Sequence, residues 1–427
     1  MNHQPEKVAR GNSFKDIYSQ SQLSCTFAKK RRLKTDQEIF RYIAKTSAGL
    51  EAVLEQELLQ IGAQRTEIMK RAVAFDGNKE LLYKANYQLR TALRILKPFA
   101  SFRANNEQKL YDNIYKLPWY EVLDVHQTFA IDGVVSGGLF THSQFVAYKT
   151  KDAIADLYRD RIGDRPSVDT NDPDLRINIH IFEDQVNVLL DSSGESLHKR
   201  GYRHMVDKAP MNEVLAAGLI LLSGWNADCH FMDAMCGSAT LPIEAAMFAM
   251  KIPAAYFRDS FGFMKWKDFD QKLWHKVKSE ADDLITDFDF EIIGSDRSAK
   301  AIDIATQNLR TAHLHKDVKL FRKQLDDVLP PEGQGLMILN PPYGERLEEE
   351  DLIALYANIG DNLKHHFKGW KAWVISSDFQ ALKHVGLKPS KKLVVYNGPL
   401  ECRFACFEVF GGSHKDMKKA TKEQPNP

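Results

Sequence analysis

The sequence predicts an α/β protein: a doubly wound, mainly parallel sheet in the C-terminal half, preceded by two α+β segments. Three observations carry that expectation. From Asn212 onward, apolar runs at 230–234, 291–295, 317–321, 335–339, 371–376, 393–396 and 403–410 are mostly separated by helical stretches. That is the pattern of buried strands joined by crossover helices. Only Asn397 to Cys402 separates the last two runs. This is too short for a crossover, so the last two strands should form an antiparallel pair at the sheet end. Upstream, Phe129, Ile131, Gly133 and Val135 alternate, as do Ile177, Ile179 and Ile181, then Val186, Val188 and Leu190, as half-buried strands do.

A chain of 427 residues is long enough for two or three domains. No apolar run approaches the roughly 18 residues a membrane span needs, and the N-terminus lacks an apolar signal core. The cysteines at 25, 229, 236, 402 and 406 have no zinc-ligand spacing. Cys402 and Cys406 share one face of a strand and are expected as buried thiols in a reducing cytoplasm. Net charge is +1, and Lys/Arg exceed Asp/Glu in both tails, which leaves the body acidic. Nucleic-acid contact must then come from local patches or the tails.

Residues 1–38 are polar, carry Lys29-Lys30-Arg31-Arg32, and are expected as a disordered basic arm. A compact unit follows over 39–97. Leu50, Val53, Leu54, Leu58 and Ile61 fall at helical spacing, then a short strand Ala72 to Phe75, then a second helix through Leu82, Ala85, Leu89 and Leu93. The next unit runs over 98–192. Its helix through Ala153, Ile154, Leu157, Tyr158 and Ile162 is preceded by Lys149 and Lys151. Amides and lysines at a helix start suit a phosphate; solvated lysines are the plainer alternative. Residues 193–211 read as a linker holding Lys199, Arg200 and Arg203 beside Tyr202. The reading favours RNA or cofactor contact, against arginines that cap neighbouring carboxylates. Residues 212–410 hold the parallel sheet, and 411–427 a disordered tail.

The strand ends of that sheet carry the chemistry. The first runs into Asp233-Ala234-Met235-Cys236-Gly237-Ser238-Ala239-Thr240. Gly237 admits close backbone approach, and no lysine stands ready for a pyrophosphate. A carboxylate beside such a loop suits the amino and carboxylate ends of S-adenosylmethionine. The second strand ends at Asp296, which can accept both ribose hydroxyls, and the third leads to Gln324 and Asp326, one of which would face the adenine. The fourth ends in Asn340-Pro341-Pro342-Tyr343. The prolines stop the ladder and hold Asn340 extended. The Asn340 oxygen and a prolyl carbonyl can each accept one N–H of an exocyclic –NH2, and Tyr343 can stack on its base.

Taken together, Thr46 to Glu51, Leu197 to Arg203, Asp233 to Ser238, Gly294 to Asp296, Asn340 to Leu347 and Asn397 to Leu400 resemble the motifs of the bacterial large-subunit rRNA guanine-N2 methyltransferases. These are THUMP-containing class I S-adenosylmethionine-dependent enzymes. The resemblance implies a ferredoxin-like domain, a THUMP RNA-binding domain and a Rossmann-like class I methyltransferase domain. It implies methylation of a guanosine N2 in 23S rRNA, free or in a large-subunit assembly intermediate, with no metal and no protein partner evident. Catalysis falls to Asn340, Pro341, Pro342 and Tyr343. Cofactor contacts fall to Asp233, Met235, Cys236, Gly237, Ser238, Thr240, Asp296, Arg297, Gln324, Asp326 and Asn340. The rivals are adenine-N6 methylation of RNA or DNA, glutamine-N5 methylation of a protein, a non-catalytic RNA-binding assembly factor, and a nicotinamide-dependent oxidoreductase, which the glycine spacing disfavours. Ala239 stands where the family usually has glycine. The aromatic-rich insert at 251–289 is expected to pack rather than to stack on bases. Some relatives carry a second methyltransferase domain; this chain stops soon after the first, so that second activity is not expected.

Overall fold

The computed structural model describes residues 38–203, 211–342 and 349–409. The expected basic arm before Glu38, the tail beyond 410 and Tyr343 lie outside them. Two compact units emerge, one from the N-terminal half plus Arg258–Ala281, the other from Arg200–Phe257 and the chain after Asp282.

The first unit is built on strands β1 (Phe40–Lys45), β2 (Gln64–Met69), β3 (Ala72–Gly77), β4 (Arg94–Arg103), β5 (Thr128–Ser136), β6 (Ser167–Val168), β7 (Leu175–Phe182) and β8 (Gln185–Asp191). With helices Glu51–Gln60 and Lys79–Gln88, β1 to β4 give the β-α-β-β-α-β succession of a ferredoxin-like domain. Asn78 caps the second helix by accepting from Leu81 N at 2.9 Å. All eight strands form one sheet in the order β2-β3-β1-β4-β8-β7-β5-β6. β4 runs straight through the expected boundary after residue 97. It tolerates Pro98 because the pairing with β8 shifts register between Pro98 and Ala100, a bulge that frees the ring from the ladder. The Arg258–Ala281 part of the insert packs within this unit, as expected. Tyr83 stacks on Phe263 at 4.4 Å, and Trp274 meets Tyr87 edge-on at 5.4 Å.

The second unit is a seven-stranded sheet of β9 (His230–Asp233), β10 (Ile292–Asp296), β11 (Val318–Arg322), β12 (Gly335–Leu339), β13 (Lys371–Ser376), β14 (Lys391–Asn397) and β15 (Leu400–Glu408). The order is β11-β10-β9-β12-β13-β15-β14. β9 to β13 pair in parallel, and β15 runs antiparallel to both neighbours. The last strand therefore slots between β13 and β14. One face packs on a core that includes Leu215, Ile243, Leu309 and Phe404, the other on Met232, Leu339, Tyr356 and Phe407.

Arg200 sits in the first of these cores. Its guanidinium lies 3.3 Å from the Glu244 carboxylate, both side chains are fully buried, and Tyr202 OH donates to Glu244 at 3.0 Å. The expected RNA contact is thereby corrected, because a cation sealed against a buried carboxylate cannot reach a phosphate. Removing one partner of such a pair costs about 3–5 kcal/mol, since the other charge stays buried. Arg200→Met should lower stability to urea by that order, and the Arg200→Met/Glu244→Met pair should recover much of the loss. A single variant as stable as the parent would contradict the assignment.

Candidate active site

The carboxyl ends of β9, β10, β11 and β12 open into one cleft of about 640 Å³, within the usual size of a ligand site. At the end of β9, Asp233 is buried and accepts Met235 N–H at 3.0 Å. The loop then bends back on β10, where Cys236 N–H donates to Ser295 O at 2.9 Å. Gly237 N–H donates to Asp296 at 3.0 Å, and the other Asp296 oxygen accepts Ser298 N–H at 2.8 Å. Asp296 thus ties the loop to the start of the helix Ala299–Thr311, whose N-cap is Ser298. A carboxylate has about four acceptor sites, so ribose hydroxyls can still be met there. Gly237 has φ +51° and open space where a Cβ would point. Ala239 is left-handed at φ +63° and fully buried, a conformation glycine adopts without penalty.

Burial pushes the Asp233 carboxyl up to about 8; the nearby Asp296 charge adds to this and the Met235 N–H opposes it. Burial, then the Asp233 and Asp296 carboxylates, hold the Cys236 thiol well above its ordinary range. Cys236 is therefore a neutral wall of the cleft.

Of the residues expected at the cofactor, Asp233, Met235, Cys236, Gly237, Ser238, Thr240, Asp296, Arg297, Gln324, Asp326 and Asn340 all line this cleft, with Pro342. Pro341 is buried behind them. The Asn340 side-chain oxygen is buried and has no hydrogen-bond partner among the described residues. Two contributions were missed. Met211 and Lys323 line the cleft, as do Asp351, Leu355 and Asn358 from the helix Glu349–His366. Their spacing of four and three residues places them on one helical face.

The five expected RNA cations have separate fates. The helix expected near residue 149 begins earlier, spanning Ser143–Ile162, so Lys149 and Lys151 lie inside it and not at its free amides. Lys149 Nζ sits 5.4 Å from the Tyr111 ring and Lys151 pairs with Asp152 at 2.7 Å. Lys199 is exposed beside Glu195. Arg203 pairs with Glu213 at 3.1 Å and donates to Thr240 Oγ1 at 2.7 Å. It braces the cofactor loop, the capping role set against RNA contact for this stretch.

Family models match three stretches of the chain: an RlmL ferredoxin-like domain over 41–96, a THUMP domain over 104–191 and an RMKL-like methyltransferase domain over 200–405. Protein slr0064 of Synechocystis sp. is 37% identical, covering 86% of this chain and 97% of its own length. Ribosomal RNA large subunit methyltransferase K/L of Methylococcus capsulatus is 38% identical over 86% of this chain, which matches 51% of that protein. The chain thus spans about half the length of the K/L relatives it matches. The crystal structure of SMU.472 complexed with SAH superposes with a TM-score of 0.80 at 32% identity, covering 88% of this chain and all of that one. A Listeria monocytogenes protein described as a predicted N6-adenine-specific DNA methylase gives 0.78 at 28% identity, covering 87% of this chain and 97% of that one.

Strand order, loop and acidic strand ends define a class I methyltransferase that uses S-adenosylmethionine. The orphaned Asn340 acceptor and the carboxylates along the cleft fit a ligand rich in N–H and hydroxyl donors. The chain belongs to the RMKL-like methyltransferase family, with ferredoxin-like and THUMP domains ahead of the catalytic one.

The raised Asp233 carboxyl has a measurable consequence. Empty at pH 7, it holds a proton; facing an ammonium group, it gives that proton up. Cofactor binding should release about one proton at pH 7 and tighten as pH rises from 6 towards 8. Calorimetry in buffers of differing ionisation enthalpy reads this directly, and Asp233→Asn should abolish it. The unfolded carboxyl ionises near pH 4, so the empty fold loses stability between about 4 and about 8. Asp233→Asn should therefore stabilise more at pH 8 than at pH 4. Binding without proton release would contradict the assignment.

Proposed function

We propose that the protein methylates the exocyclic N2 amine of a guanosine in 23S rRNA, free or within a large-subunit assembly intermediate. The observation that carries this is the Asn340 oxygen, buried at the cleft without a partner among the described residues. A buried acceptor left unpaired costs about 1–3 kcal/mol, so its place is explained by a ligand N–H. RNA as the substrate class is supported by the THUMP match and by the relatives named for ribosomal RNA.

S-adenosylmethionine supplies an activated methyl group when bound. The chain's own residues then do little bond chemistry. Asp233 and the loop through Gly237 and Ser238 hold the amino-acid end, Asp296 the ribose, and Gln324 or Asp326 the adenine. Asn340 and the Pro341 carbonyl accept the two N–H bonds of the target amine. This turns its lone pair out of conjugation with the ring and towards the methyl. After transfer the nitrogen sheds one proton to water, so no strong base is needed beforehand. Positioning and fixed dipoles carry most of the rate. The base must be unpaired or flipped out to enter. Lys149, Lys151 and Lys199 are kept as RNA phosphate contacts. The full set of strand-end groups argues against a non-catalytic assembly factor.

An adenine N6 amine would satisfy the same two acceptors, so the product must be identified. Nucleoside mass spectrometry after reaction with rRNA should give N2-methylguanosine; N6-methyladenosine would overturn the reading. Asn340→Ala should leave S-adenosylmethionine affinity within a few-fold and cut single-turnover transfer by ~10² or more, as loss of a preorganised transition-state contact does. Near-normal turnover would remove Asn340 from its role.

A further inference from the structure

We propose that Asp351 sets the base specificity of the site by accepting the N1–H of the target guanine. The proposal rests on the guanosine reading above and extends it to the base edge. Four carboxylates line the cleft: Asp233, Asp296, Asp326 and Asp351. The first two are engaged by N–H groups of the loop and of the following helix. Asp326 and Asp351 have no hydrogen bond or ion pair among the described residues. Both are exposed to the cleft and available to a ligand.

The helix Glu349–His366 separates the two in space. Asn362 donates to Leu325 O at 2.9 Å, immediately beside Asp326. That contact pins the C-terminal half of the helix to the loop after β11, the adenine end of the cleft. Gly360 fixes the seat further, since a Cβ there would come within 1.7 Å of Val385 O. Asp351, Leu355, Asn358 and Asn362 follow one another at four, three and four residues, so they share a face. At 1.5 Å per residue, Asp351 lies roughly 16 Å along the axis from Asn362. It therefore lies about three turns along the helix from the contact with the loop after β11. It is also on the first turn of a helix that begins seven residues after Pro342, and it lines the same cleft as Asn340 and Pro342.

The chemistry then discriminates. Guanine presents N1–H next to its N2 amine, whereas adenine presents a lone pair at N1. An ionised carboxylate only accepts. With Asn340 on the amine, Asp351 completes a set of acceptors that matches guanine and repels the N1 of adenine. Charge-assisted bonds of this kind are shorter and stronger than neutral ones.

The test uses the full chain and RNA oligonucleotides carrying either guanosine or 2-aminopurine at the mapped target. 2-Aminopurine keeps the reacting amine and replaces N1–H by a lone pair. The parent protein should prefer guanosine by on the order of 10–100-fold in kcat/KM. Asp351→Asn, whose amide can donate as well as accept, should bring that ratio to within a few-fold of unity. Asp351→Ala should also lose the preference. S-adenosylmethionine affinity should stay unchanged in both variants. An unchanged ratio, or equal loss on both substrates with weakened cofactor binding, would overturn the role of Asp351 while leaving the guanosine reading intact. N6-methyladenosine as the parent protein's product would overturn that reading, and this proposal with it.

Discussion

One carboxylate joins the ends of two neighbouring strands. Asp296 closes β10 and receives the Gly237 N–H of the β9 loop with one oxygen and the Ser298 N–H of the next helix with the other. Bonds to an ionised acceptor are among the stronger ones a fold can make. The loop is thereby held against β10 and cannot follow its own preference at Ala239, where an L-residue sits in the left-handed region. The same carboxylate adds to the rise of Asp233 and to the neutrality of Cys236. Loop shape and cleft electrostatics thus depend on one side chain.

A second polar assembly anchors the segment that enters this unit. Arg200, Tyr202 and Glu244 share a fully buried network, and Arg203 reaches the loop through Thr240. Buried ion pairs add little to stability relative to apolar packing, yet breaking one is costly. Their effect here is on geometry: they fix where Thr240 starts its helix. Arg200 and Arg203 therefore act inward, Arg203 on the loop after β9, while Lys199 stays exposed.

Much of the methyltransferase sheet was legible because its strands are buried on both faces and read as unbroken apolar runs. The link from Asn397 to Cys402 also told its direction. The first sheet was harder. β2 is Gln-Arg-Thr-Glu-Ile-Met, a polar edge strand with no apolar alternation to detect. β4 carries Pro98, which reads as a break until the bulge that accommodates it is seen. The helix Ser143–Ile162 has no side-chain cap and no acid in its first turn, so its start could not be located from the usual signals. Arg200 shows a deeper limit. Sequence gives the charge, but only Glu244, 44 residues away, decides that the charge is buried. The residues that line the cleft at the ends of β9 to β12 were legible because strand ends announce them. Asp351 and Asn358 were missed because polar residues on a helix look like its solvated face.

The central claim is that this cleft acts on the N2 amine of a ribosomal guanosine. Its most direct test is a mass-spectrometric map of modified nucleotides in 23S rRNA from cells with and without the protein. The account predicts that one N2-methylguanosine disappears in the deletion strain and returns with the parent gene. An unchanged set of N2-methylguanosines, with a methyl group lost from another atom or from another molecule, would contradict it.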